Sequence, residues 1–408
     1  MKNNRWVILI ASTIINFCIT IIYAWSVFSG PLMELFGWSA AATALTYTIA
    51  NAVSPVPMIA GGKILNIFGP RKTVLCCAFL FGGGLFLSGF AKSVGWLYVT
   101  YGICCGVGMA VIYICTISNT IRFFPDKKGL ASGILTAGAG MSSIVAAPVA
   151  QMLIDAKDVL FTFKVFGLVY FAIIVMCALF LEKAPDVCGG CVGHSGDDNE
   201  SCGNIGENGT GEYTTFEMLK SPVFYLLICI YAIGACGGLM VISQTSNMAQ
   251  EMIHVSAQTA AVGVSLVALG NTVGRLFWGT VSDKVGRYNV LPVIFILMAV
   301  FLFIFSGSSE GQWVRFVLSL VMIGISFGGL LSIFPAVTTE IWGAANSGSN
   351  YGLMFCGYAL GSFIGPRIAV TCRDMTSVPY SVGLIAATCL CVIGAVLCLI
   401  LRHGIKKI

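Results

Sequence analysis

The 408 residues are 57% hydrophobic and only 10% charged, with a mean hydropathy of +0.92, which excludes an ordinary soluble domain and points to a chain that crosses a bilayer many times. The formal net charge of +5 is no sign of nucleic-acid binding in such a chain, because there the placement of the positive residues carries the information. The 17 cysteines fall mostly in apolar runs, where they act as small fillers and imply no disulfide framework.

A helix needs about 20 apolar residues to cross the hydrocarbon core, and twelve runs reach that length. The first, at roughly 6–29, follows a basic start; it is too long for a signal peptide and lacks a small-residue cleavage site, so it reads as a retained span. Five more follow at roughly 41–64, 73–91, 95–121, 129–153 and 160–181, with Pro55 and Pro57 predicting a kink in the second. The stretch 182–221, with Asp197-Asp-Asn-Glu200 and many glycines, breaks the pattern and predicts a flexible cytoplasmic linker. Spans then resume at roughly 222–245, 257–281, 290–306, 313–338, 349–370 and 380–401.

The expected fold is thus an all-α membrane protein of twelve transmembrane helices in two six-helix pseudo-repeats. Residues 1–181 form the first bundle, 182–221 the linker and 222–408 the second. With the N-terminus inside, most of the 22 Lys and Arg fall on the cytoplasmic side, from Lys2 and Arg5 through Lys127 and Lys128 to Lys406 and Lys407. Both termini are therefore placed in the cytoplasm, with the plasma (inner) membrane as location and a monomer as the expected state.

The halves echo each other. Gly62-Lys-Ile-Leu-Asn66-Ile-Phe-Gly69-Pro-Arg71 follows the second span and Gly279-Thr-Val-Ser-Asp283-Lys-Val-Gly286-Arg287 follows the eighth, 217 residues on from Gly62 to Gly279. This doubled loop resembles the signature of the major facilitator superfamily, with Asn66 standing where the usual residue is Asp. That departure implies a weaker ion-pair latch in the first copy. Further marks are Arg5-Trp6, Tyr23-Ala-Trp25-Ser-Val-Phe28, Phe123-Phe-Pro125-Asp126, Gly274-Arg275-Leu-Phe-Trp-Gly279 and Asn350-Tyr351-Gly352. In this order they resemble the oxalate:formate antiporter family over nearly the whole chain.

Arg275 is the sharpest candidate for chemistry. It lies in an apolar span with no acidic residue from His254 to Gly279, and no carboxylate occupies any span core. An intramembrane arginine faces a cavity or a partner, and a guanidinium fork matches a carboxylate, so a small organic anion would complete the pair. The competing reading is that Arg275 snorkels to the cytoplasmic surface near Gly279. The resemblance implies that Arg275 matches an arginine that holds dicarboxylate in the oxalate exchanger. It also implies that Tyr358 replaces the exchanger's lysine, and that Tyr23, Trp25, Tyr113 and Phe327 line the central cavity. Two cations neutralise a dianion; one arginine with a phenol suits a monoanion such as formate, lactate or pyruvate.

Lys164, Arg315, Arg367 and Arg373 read as outer interface anchors, Asn16, Asn119 and Gln244 as helix-bridging polar residues, and the Gly357, Gly361, Gly365 series as a close-packing face. Cys188, Cys191, His194 and Cys202 carry zinc-ligand types, but the loose last spacing argues against a metal site, and no cofactor is implied.

The expected function is transport of a small carboxylate by alternating access, as exchange or facilitated flow, since no histidine or carboxylate inside the spans offers a proton site. The alternatives are a proton-coupled symporter, an oxalate/formate exchanger and a non-transporting membrane anion sensor. An enzyme is disfavoured, because no catalytic cluster falls within the spans.

Overall fold

The computed structural model describes residues 5–184, 212–373, 375 and 379–405, and among these every regular element is helical. Before the linker come α1 (Arg5–Ile19), a 3-10 turn (Thr20–Ala24), α2 (Trp25–Phe36), α3 (Ala40–Val53), α4 (Pro55–Ser88), α5 (Val94–Leu97), a π-helical stretch (Tyr98–Cys105), α6 (Gly106–Phe123), α7 (Lys128–Ala156) and α8 (Val159–Ala178). After it come α9 (Thr215–Lys220), α10 (Pro222–Met252), α11 (Ala257–Val285), α12 (Arg287–Ser306), α13 (Trp313–Trp342), α14 (Ser347–Thr371) and α15 (Ser381–Ile405).

Among the described residues eleven helical stretches are long and apolar enough to span a membrane, one fewer than the sequence predicts. The difference lies in Leu45–Ser88, 44 residues counted as a single stretch although they turn at Gly69. At 1.5 Å per residue they measure about 66 Å, twice a hydrocarbon core of about 30 Å. Gly69 breaks the run with φ 76° and ψ 165°, a conformation open to glycine, and Pro70 starts the return. The stretch therefore makes two crossings, and the total is twelve.

Other ends follow ordinary capping chemistry. Ser39 and Ser256 accept hydrogen bonds from Ala42 N and Thr259 N at the starts of α3 and α11, and Gly37 closes α2 in the left-handed region. Two expected single helices are interrupted instead. The first span loosens into the 3-10 turn at Thr20–Ala24, and the fourth widens into the π-helix at Tyr98–Cys105. The bend expected from Pro55 and Pro57 is a break at Ser54, between α3 and α4.

Small residues set how closely the helices approach. A Cβ on Gly357, Gly361 or Gly365 would lie 2.7, 2.5 or 2.4 Å from the carbonyls of Ile228, Ala232 and Cys236, so the glycine face of α14 seats directly on the backbone of α10. Gly106 does the same for α6 against Ala50 of α3. Asn16 bridges α1 to α6 by donating to Thr116 Oγ1 at 2.8 Å, whereas the Gln244 side chain bonds within its own helix, to Asn247.

The described ends of the linker are docked rather than loose. Asn119 donates to Glu182 O and accepts from Ala184 N, fixing the first end on α6. At the second end the Glu212 carboxylate accepts from Ala344 N and Ala345 N, while Tyr213 O accepts from the Asn346 and Asn350 side chains. Cys188, Cys191, His194 and Cys202 lie outside the described residues.

Candidate functional site

Two seams join the helices before the linker to those after it, both toward the end of the bundle from which the linker leaves. Along the first, α7 meets α11. Cβ atoms on Gly129, Gly133 and Gly140 would fall 2.3 Å from Gly279 O, 2.6 Å from Arg275 O and 2.5 Å from Thr272 Oγ1. Along the second, α4 meets α14, with Gly62 against Ser349 N at 2.1 Å by the same measure and Ser349 donating to Ile59 O at 3.1 Å.

The signature loops bolt these seams unequally. Asp283 accepts from Gly129 N and Leu130 N, both at 2.8 Å, so a carboxylate caps the N-terminus of α7 from the opposite half. Arg287 in turn pairs with Asp283 at 3.0 Å and with Glu340 at the end of α13. In the first copy Asn66 donates to Ala345 O at 2.8 Å and accepts from Arg122 at 3.1 Å. Arg122 stands 218 residues before Glu340, so a cation occupies the place of an acid, and this latch rests on neutral acceptors. Gly69 and Gly286 both have positive φ, and Arg71 is exposed in its turn.

Arg275 sits on the first seam. It is 8% exposed, and Nε donates to Asn271 Oδ1 one turn earlier at 3.0 Å. One terminal nitrogen donates across the seam to the main-chain carbonyl of Thr136 in α7. This excludes the snorkelling alternative: the head group points into the bundle, and no carboxylate pairs with it among the described residues.

An aromatic cluster faces the same region. Tyr231 of α10 stacks on Phe334 with ring centres 4.0 Å apart and meets Tyr358 at 6.0 Å. Phe355 lies 4.5 Å from Tyr358 and 6.2 Å from Tyr113, and Phe327 lies 6.4 Å from Tyr358. The phenols of Tyr231 and Tyr351 are 3.4 Å apart, Tyr113 hydrogen-bonds Tyr351, and both Tyr231 and Tyr351 lie in the field of Arg275.

Of the sequence-predicted site, Tyr358, Tyr113 and Phe327 thus come together around Phe355, and Arg275 reaches this cluster through its charge on Tyr231 and Tyr351. Trp25 does not join them. Its ring packs 4.6 Å from Tyr101 within the helices before the linker, and its buried Nε1 has no partner among the described residues. Tyr23 lies in the 3-10 turn, its side chain outside the described residues. The sequence reading missed Tyr231 and Tyr351. Tyr351 belongs to the quoted Asn350-Tyr351-Gly352 motif, which was its only signal; Tyr231 had none.

The outer cations behave as anchors: Lys164 covers the Phe90 ring, Arg367 the Phe363 ring, and Arg373 pairs with Glu251 at 2.7 Å.

The profile of the Major Facilitator Superfamily matches residues 5–366 and again 227–407. The chain belongs to that superfamily. It is therefore a multi-pass membrane transporter by family, not an enzyme. This superfamily member is 29% identical over 371 residues to the oxalate:formate antiporter of Oxalobacter formigenes, covering 90% of this chain and 84% of the relative. It is 25% identical over 363 residues to the uncharacterized transporter YhjX of Escherichia coli strain K12, covering 88% and 86%. Against monocarboxylate transporter 12 of Xenopus laevis it is 25% identical over 403 residues, covering 91% and 83%. In fold it is similar to the superfamily transporter FucP in the outward conformation, with a TM-score of 0.74 at 13% identity over 96% of this chain and 98% of the other.

Proposed function

We propose that the chain is a secondary transporter of short monocarboxylates, exchanging one for another by alternating access. The observation that carries this is Arg275, a buried guanidinium with no carboxylate partner among the described residues, whose charge reaches the phenols of Tyr231 and Tyr351. A substrate carboxylate completes the ion pair in geometry that matches the guanidinium fork. Tyr358, where the resemblance implies lysine, leaves one full positive charge, which favours a monoanion over oxalate. The names of the antiporter and monocarboxylate transporter relatives support the same substrate class. In this reading residues 1–181 and 222–408 rock as two bundles about Arg275, with the linker end and both termini in the cytoplasm, the chain acting as a monomer in the plasma membrane.

The test is uptake of labelled formate, lactate, pyruvate and oxalate by proteoliposomes, with and without internal substrate and with and without an imposed proton gradient. Acceleration by internal monocarboxylate, lost in Arg275→Ala, supports the proposal. Uptake that needs the proton gradient and no internal substrate identifies a symporter instead, and an Arg275→Ala protein that folds and transports at the wild-type rate removes the site.

A further inference from the structure

The bond from Arg275 to Thr136 has a consequence for coupling. To expose the site toward the linker end, α7 and α11 must part along the glycine contacts at Gly129, Gly133 and Gly140. Arg275 spans that seam, its backbone against Gly133 and its head group on the Thr136 carbonyl, with Asn271 holding Nε so that the fork turns toward α7. Parting the helices without ligand breaks the bond that a buried guanidinium makes across the seam, and nothing of comparable charge takes the carbonyl's place. A carboxylate reverses the balance, because it competes for the same donors and offers charge-assisted bonds in exchange for one neutral carbonyl.

We propose that Arg275 is a substrate-released bolt: bonded to Thr136 it locks the empty carrier closed at the linker end, and a bound carboxylate frees the seam. Asn271 is the positioning residue that keeps the bolt engaged. The inference rests on the carboxylate reading above and deepens it, since a carrier that unlocks only when loaded performs exchange without any proton-binding group. It differs from the signature latches at Asp283 and Asn66, which no substrate touches.

The experiment uses full-length protein in detergent with spin labels replacing Lys127 and Lys284, exposed residues that flank the seam at the linker end. Formate is the probe, and the distance distribution is the readout. Wild-type protein without formate is expected to show one short distance, with a longer population growing as formate is added. Arg275→Met should show the longer population without ligand, enriched about 10-fold or more, and Asn271→Leu should show it to a smaller extent. If both variants melt at the wild-type temperature and keep the short distance alone, the bolt is wrong. If both open without ligand while formate leaves the wild type unmoved, the bolt stands and the carboxylate reading falls. Formate exchange in vesicles by an Asn271→Leu protein that stays closed without ligand would show the reverse.

Discussion

Gly62→Ala tests the second seam with a single methyl group. In the closed arrangement that carbon would lie 2.1 Å from Ser349 N and 2.5 Å from Gly348 C, both backbone atoms that no rotamer moves. Restoring an ordinary contact of 3.4 Å requires α4 and α14 to separate by about 1.3 Å (3.4 − 2.1). Overpacking of this kind costs about 1–3 kcal/mol. Because the overlap exists only while the linker end is shut, the cost falls on the closed state and shifts the closed–open equilibrium about 5-fold to 150-fold. The reporter is Ser118→Cys, at a position 3% exposed beneath the seam beside Ser347, with the rate of labelling by a membrane-impermeant maleimide read by peptide mass mapping. Gly62→Ala should raise that rate, and Gly30→Ala, whose added carbon meets nothing within 4 Å, should not. Unchanged labelling in a Gly62→Ala protein of normal melting temperature would refute the reasoning that this glycine permits closure.

Tyr231→Phe and Tyr351→Phe each remove one phenol near Arg275 and keep the ring packing, so KM for a transported monocarboxylate should rise about 3-fold to 10-fold with little change in melting temperature, as measured in proteoliposomes. Asn271→Asp places a carboxylate against Arg275 that substrate must displace. Affinity at neutral pH should drop about 10-fold or more and recover as acid protonates the new group, a pH profile the wild type lacks. Thr214→Ala breaks the capping box of α9, in which the Thr214 backbone N–H holds the Glu217 carboxyl below its usual range. A depressed carboxylate stabilises above its unfolded value and loses that contribution as pH falls through its folded value. Protection of the amides over 214–220, taken against the intrinsic exchange rate at each pH, should therefore fall in Thr214→Ala at neutral pH, and in the wild type only on acidification.

The twelve crossings were legible because lipid leaves helical backbone no other partner, so each crossing writes itself as a long apolar run. Arg275 was legible for the complementary reason that charge in such a run is costly. What the sequence did not reveal depends on geometry that leaves no mark in composition. The 3-10 and π segments arise at Thr20–Ala24 and Tyr98–Cys105 with ordinary apolar residues. Tyr231 looked like any aromatic in a span until its stacking on Phe334 aimed its hydroxyl at Tyr351. Trp25, placed in the cavity by resemblance, packs on Tyr101, because the irregular turn before it and the π-helix opposite it bring those rings together. The linker looked flexible throughout from its glycines, yet Glu182–Ala184 and Glu212–Tyr213 are pinned by backbone bonds that no hydropathy pattern encodes.

That pinning defines what the covalent connection contributes. Each half carries its own fastened stub, Ala184 on Asn119 and Glu212 on the turn before α14. The covalent connection between the stubs sets the effective concentration of one bundle near its partner. A chain severed between residues 185 and 211 would keep both anchor points and lose only that enforced proximity, which co-expression in one membrane supplies by confining the two pieces to a plane.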